Sequence, residues 1–132
     1  MAENGLISLA SRYSPGETMR RLLAALSARD MTVFARVDHA ANAAAAGMAL
    51  RPTEVVLFGN PRGGTVLMQD QQSAGIDLPL KVLVWEDAGG TAWSSYNDPQ
   101  WLAKRHGLGR KSAPAVAAMA TALQALAQDV TR

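Results

Sequence analysis

The sequence predicts an α+β fold in a single compact domain, and three observations predict it. Runs of strand-like composition alternate with stretches of helical periodicity along the whole chain. Gly89-Gly90 lies between the last two strand-like runs, where it fits a hairpin turn and therefore an antiparallel pair. No internal repeat or linker divides residues 1–132, a length that buries about two thirds of the surface of the unfolded chain.

Each element follows from local chemistry. Gly5 to Arg12 alternates loosely and reads as the first strand. Ser14-Pro15-Gly16-Glu17 opens a helix: Ser14 can accept from first-turn amides, Pro15 suits the first helical position, and Glu17 completes a capping box. Met19, Leu22, Leu23 and Leu26 place one apolar stripe on the core side. Met31 to Val37 is β-branched and aromatic, hence a second strand. Asp38 is a good N-cap for the alanine-rich run Ala40 to Ala46, which Gly47 ends.

The third strand, Glu54 to Phe58, is nearly all apolar and so central. Gly59-Asn60-Pro61 turns the chain, a short helix follows around Thr65 to Gln71, and a loop leads to the fourth strand, Leu80 to Glu86. The fifth strand runs roughly from Thr91 to Tyr96. Asp98 and Pro99 cap and open a helix that Gly107 closes. Ser112 to Val130 is a last amphipathic helix, with Val116, Met119, Leu123 and Leu126 at helical spacing.

Composition removes several function classes. There is no cysteine, which excludes disulfides, thiolate metal sites and cysteine nucleophiles. No apolar run reaches about 18 residues, and the start Met-Ala-Glu-Asn-Gly lacks the basic and apolar regions of a signal peptide. A cytoplasmic location is expected. Residues 1–66 carry seven basic and five acidic groups and residues 67–132 six of each, so no basic stripe marks a nucleic-acid surface.

The chemistry-bearing residues are few. Asn60-Pro61-Arg62-Gly63-Gly64-Thr65 joins a strand to a helix, and its glycines suit either an anion-holding loop or a turn with positive φ. His39 and His106 each stand beside a helix terminus, with Asp38, Glu86, Asp87 and Asp98 as available carboxylates. No short ligand spacing supports a metal, and no Ser-His-Asp set is indicated. Glu86, at the mouth of an apolar strand, is a candidate acid or base. Trp85 and Trp93 are placed to pair on one side of the hairpin, with a core position favoured for the tryptophans.

At these residues the chain resembles a known family. Asp38-His39, Leu50-x-Pro52, Phe58-Gly-Asn-Pro61, Gly64-Thr-x-Leu-Met68, Asp77-Leu-Pro-Leu-Lys81, Trp85-Glu-Asp87, Tyr96-Asn-Asp-Pro99 and Arg105-His-Gly107 together resemble the DUF302, or TT1751-like, proteins. Val66 stands where the family more often has proline after the threonine. The resemblance implies a curved, mainly antiparallel sheet with helices packed on it, similar to TBP-like folds, and self-association; it implies no established activity.

The expected function is a cytoplasmic homodimeric module that binds a small ligand or a protein partner, without catalysis, cofactor or metal. Its pocket is expected where Asn60, Glu86, Asn97 and His106 meet, with His39 as a further candidate. An antiparallel hairpin would separate Glu86 from Asn97, so this grouping depends on the sheet. The competing reading is a small hydrolase or lyase using Glu86 or Asp38 with His39 or His106. Nucleic-acid binding ranks third.

Overall fold

The computed structural model describes residues 3–132; of the domain expected over 1–132, positions 1 and 2 lie outside the described residues. The strands are β1 (Leu6–Ser11), β2 (Thr32–Asp38), β3 (Thr53–Gly59), β4 (Leu80–Glu86) and β5 (Ala92–Asn97). The helices are α1 (Pro15–Ala28), α2 (His39–Ala45), α3 (Pro61–Asp70), α4 (Pro99–His106) and α5 (Ala113–Thr131), with a 3-10 helix over Gln72–Ile76 between α3 and β4. The predicted order holds, with strand ends within about one residue.

All five strands form one sheet in the order β1-β5-β4-β3-β2, every neighbouring pair antiparallel. Side chains alternate between its faces. Val56, Phe58, Leu80, Val82, Val84 and Tyr96 point to one side and are buried there against Met19, Leu22 and Leu26 of α1 and Leu123, Leu126 and Val130 of α5. Full burial of each such side chain stabilises the fold by roughly 1.5–3 kcal/mol, so this layer supplies most of the cohesion. A smaller cluster of Leu67, Ala74 and Val116 ties α3 and the 3-10 helix to α5.

The caps explain where helices start. The Ser14, Asp38, Asn60 and Asp98 side chains each accept a first-turn amide, from Glu17, Ala41, Arg62 and Gln100 respectively. Glu17 departs from the capping box: its carboxylate accepts from Arg20 at 2.8 and 2.6 Å instead of reaching back. Helix α3 also begins four residues before Thr65, because Asn60 caps it and Pro61 fills its first position. Gly63 and Gly64 therefore lie inside a helix and not in a positive-φ turn. Ser112 gives no side-chain cap to α5.

Gly5 is required twice over. Its φ is +78°, and a Cβ built on it would lie 2.5 Å from the Trp101 ring of α4. Its carbonyl also accepts the Asp98 amide at 2.8 Å, so the approach of β1 to α4 depends on the missing side chain. Gly5→Ala is expected to destabilise the fold by about 2–4 kcal/mol, combining a left-handed backbone with overpacking, and chemical denaturation monitored by tryptophan fluorescence would measure it.

Candidate functional site

A cavity of about 440 Å³ opens where the end of β3 and the start of β4 meet α3 and α5. Met31, Phe34, Phe58, Met68, Leu78, Leu80 and Met119 give it an apolar lining. Each wall has a sequence cause. The register between β2 and β3 shifts between Val33 and Ala35, a bulge that turns Phe34 out of the ladder and onto the cavity rim. Leu78-Pro79, a cis peptide, leads β4 in along the opposite side.

The glycine pair of α3 forms part of this wall. A Cβ on Gly63 would meet the Met119 methyl at 3.1 Å, and one on Gly64 would lie 3.8 Å from Leu78 and 3.9 Å from Met68. Each glycine in a helix interior forfeits about 1 kcal/mol relative to alanine. Here the absent side chains let α3 lie close to Met119 and leave the cavity open. The first-turn amides of α3 are already engaged: Arg62 donates to the Asn60 side chain, and Gly63 and Gly64 donate to the Asn60 carbonyl. An anion held by that loop would have to displace them.

The sequence-selected residues separate into two ends of the sheet. Asn60 lies on the cavity rim. Asn97 ends β5 at the same end, half-buried and paired with Leu6. Glu86 stands at the far end of β4 opposite Ala92, and its backbone carbonyl accepts from Arg51. The antiparallel hairpin thus parts Glu86 from Asn60 and Asn97. His39 is exposed at the start of α2, while the neighbouring Asp38 carboxylate is spent on the Ala41 amide. His106 meets neither Glu86 nor Asp38.

His106 is instead the middle of a side-chain chain that the sequence reading did not assemble. Its Nε2 lies 2.5 Å from Asp77 Oδ2 and its Nδ1 lies 3.0 Å from the Ser73 hydroxyl. Arg105 Nη1 donates to both Asp77 oxygens at 3.2 Å, and Lys81 donates to the Asp77 carbonyl. Burial lowers the Lys81 pKa, partly offset by the attraction of Asp77. The signal in the sequence was the pair Asp77-Leu-Pro and Arg105-His-Gly107, whose contact only the fold creates. Among the described residues no group of three or more histidines, cysteines or carboxylates is placed to hold a metal ion.

Trp85 and Trp93 are directly opposed and stack with centroids 6.1 Å apart and planes at 21°. The pairing is as expected, but their position is not the core: strand alternation puts both on the sheet face away from α1 and α5, where they are half-buried. Trp85 Nε1 donates to Ser95 Oγ, which is 2.7 Å from Ser8 Oγ, and Trp93 Nε1 donates to Asp87. Asp87 also accepts from Gly89 and Thr91, so one carboxylate fixes both the hairpin turn and a ring.

A one-sided antiparallel sheet, helices on one face and an apolar cavity at its end define an α+β domain built around a preformed pocket. The chain belongs to the family described as domain of unknown function DUF302, which matches residues 7–126. An uncharacterised conserved DUF302 protein from Bacillus stearothermophilus shares the fold with a TM-score of 0.84 at 19% identity, over 97% of this chain and 98% of that one. Two longer relatives are named fluoride-specific ion channels, FluC 1 of Brucella suis and FluC 2 of Brucella melitensis. Each is 50% identical over 119 residues, which is 90% of this chain but 47% and 44% of theirs. The chain spans about half the length of these curated relatives. Among the described residues no helix is long and apolar enough to cross a membrane.

Two carboxylates make stability depend on acid. Asp70 lies below the usual carboxylate range because it accepts from the Gly109 amide and the Ser112 hydroxyl, with Lys111 adding attraction. Asp87 is lowered first by the Trp93 indole N–H, then by the Thr91 and Gly89 amides and the charge of Arg51. Both bind a proton more weakly folded than unfolded. Their contribution is therefore complete above the ordinary aspartate pKa of about 3.9 and is lost as pH falls through the lower folded values. Urea midpoints measured from about pH 6 to about pH 3 should fall across that window, and Asp70→Asn should make the fall shallower.

Proposed function

We propose that this domain is a cytoplasmic binding module for an uncharged, apolar small molecule, seated in the cavity between α3 and α5. The lining carries the reading: of the side chains around this 440 Å³ space none is ionisable, and the Thr65 hydroxyl already donates to the Pro61 carbonyl. A buried charge there would have no partner, which disfavours anionic or cationic ligands by several kcal/mol. The volume lies in the range of small-molecule sites. Three methionines, Met31, Met68 and Met119, supply unbranched, polarizable walls that adapt to varied ligand shapes. Three of the motifs quoted for the family (58–61, 64–68 and 77–81) border this one cavity. With no acid, base or nucleophile free among the lining side chains, the cavity is a place of binding and not of reaction.

Titration with the uncharged fluorophore N-phenyl-1-naphthylamine tests this reading. Saturable enhancement is expected, and Gly64→Leu, which places a side chain in the cavity, should weaken it by about tenfold or more while retaining the fold. Unsaturable enhancement, or equal binding by the folded variant, would remove the proposal.

A separate observation supports self-association. The sheet face away from the helices carries Val37, Val55, Leu57, Leu83, Trp85 and Trp93, and both core clusters draw on the other side. Monomeric soluble proteins rarely leave a continuous apolar face of several hundred Å² in water, and tryptophans are enriched at interface centres. A second copy, apposed face to face about a two-fold axis, covers this surface. Sedimentation equilibrium at micromolar concentration should give twice the 14.0 kDa chain mass, and Leu83→Asp should return the monomer. A monomeric parent protein would overturn the reading.

A further inference from the structure

The Ser73–His106–Asp77 chain lies outside the cavity and is not needed for binding there. We propose that it is a hydrolytic site, with Ser73 as nucleophile, His106 as general base and Asp77 as the group that orients and stabilises the imidazole. The substrate class is a small carboxylic ester. Ser73 is exposed at the surface, whereas the His106 and Asp77 side chains are only 7% and 15% exposed. The nucleophile thus meets solvent while its base is shielded behind it.

The geometry assigns the protons. Asp77 accepts from His106 Nε2–H at 2.5 Å, which leaves the Nδ1 lone pair facing the Ser73 hydroxyl at 3.0 Å, within the reach a general base requires. Arg105 donates to both Asp77 oxygens at 3.2 Å, which fixes the carboxylate beside the ring. His106 occupies the last turn of α4, with Asp77 on its Nε2 side and the Ser73 hydroxyl on its Nδ1 side. The roles of the two ring nitrogens are exchanged relative to the familiar serine-hydrolase arrangement, but the sequence of nucleophile, base and orienting acid is the same.

In the reaction, Ser73 Oγ bonds to the ester carbonyl carbon as its proton passes to Nδ1. The tetrahedral adduct collapses with cleavage of the carbon–alkoxy bond, and the departing oxygen takes that proton and leaves as the alcohol. Water then adds to the acyl-serine, Nδ1 again receiving a proton and returning it to Oγ, and the carboxylic acid departs. Ester and water give acid and alcohol, with no other reactant.

The test uses the full chain with a fluorophosphonate probe and with p-nitrophenyl acetate. Intact mass should show one phosphonate adduct, mapped by peptide analysis to Ser73, and p-nitrophenol release should be catalytic. Ser73→Ala should abolish both with an unchanged melting temperature, because the side chain is exposed and makes a single hydrogen bond. His106→Gln should slow labelling by about 10²-fold or more if the imidazole acts as base. Absence of an adduct, labelling spread over other serines, or ester hydrolysis surviving in Ser73→Ala would overturn the proposal. Should His106→Gln fail to fold, the Ser73→Ala comparison decides alone. N-phenyl-1-naphthylamine binding should be the same in Ser73→Ala as in the parent, which separates this site from the cavity.

Discussion

The contact between one face of the sheet and two helices is the constraint on which the rest depends. Phe58, Val82 and Tyr96 meet Leu22, Leu26, Leu123 and Leu126 in a single layer. Because strand side chains alternate, a one-residue slip in any central strand would exchange its apolar set for the opposite one. In β4 it would send Lys81, Leu83 and Trp85 inward and expose Leu80, Val82 and Val84. That penalty holds the register, and the register in turn decides which loops meet. The ends of β3 and β5 and the start of β4 share one end of the sheet, so the cavity and the Asp77–His106 contact both arise there.

Packing between the sheet and α5 stops short at that end, and small residues keep it open. Gly63 and Gly64 on α3 and Ala115, Ala118 and Ala122 on α5 all line the cavity, where larger side chains would close it. The two glycines keep this cleft open at some loss of helix propensity in α3. Carboxylates hold the surrounding walls. Asp70 fixes the α4–α5 connection through Gly109 and Ser112, and Asp77 fixes α4 through Arg105 and His106. The wall elements are thus positioned by hydrogen bonds outside the cavity, whose lining carries no ionisable side chain.

The opposite sheet face follows a different rule. Its apolar residues are continuous across β2, β3, β4 and β5, and Trp85 stacks on Trp93 with both indole N–H groups satisfied within the face. A shielded indole N–H needs an acceptor, and here Ser95 and Asp87 supply one to each ring from within the chain. The two faces and the sheet end thus differ in character: one face is packed under helices, the other is an open aromatic and aliphatic surface, and the end carries the apolar cavity.

Local chemistry was enough to read the elements from the sequence. Ser14, Asp38 and Asp98 announce helix starts, Gly107 a helix end and Gly89-Gly90 a hairpin, because capping and turn formation involve residues within a few positions of each other. The family motifs extended that reading to a largely antiparallel sheet. Alternation alone could not say which face of the sheet the helices cover, so Trp85 and Trp93 read as core although they lie on the open side. Nor could it place Glu86 apart from Asn60, bring Asp77 to His106 across 28 intervening residues, or show that Gly63 and Gly64 line a cavity. Those are long-range outcomes. They depend on sheet register and on how helices settle over it, free energies shared among many side chains and carried by no short segment.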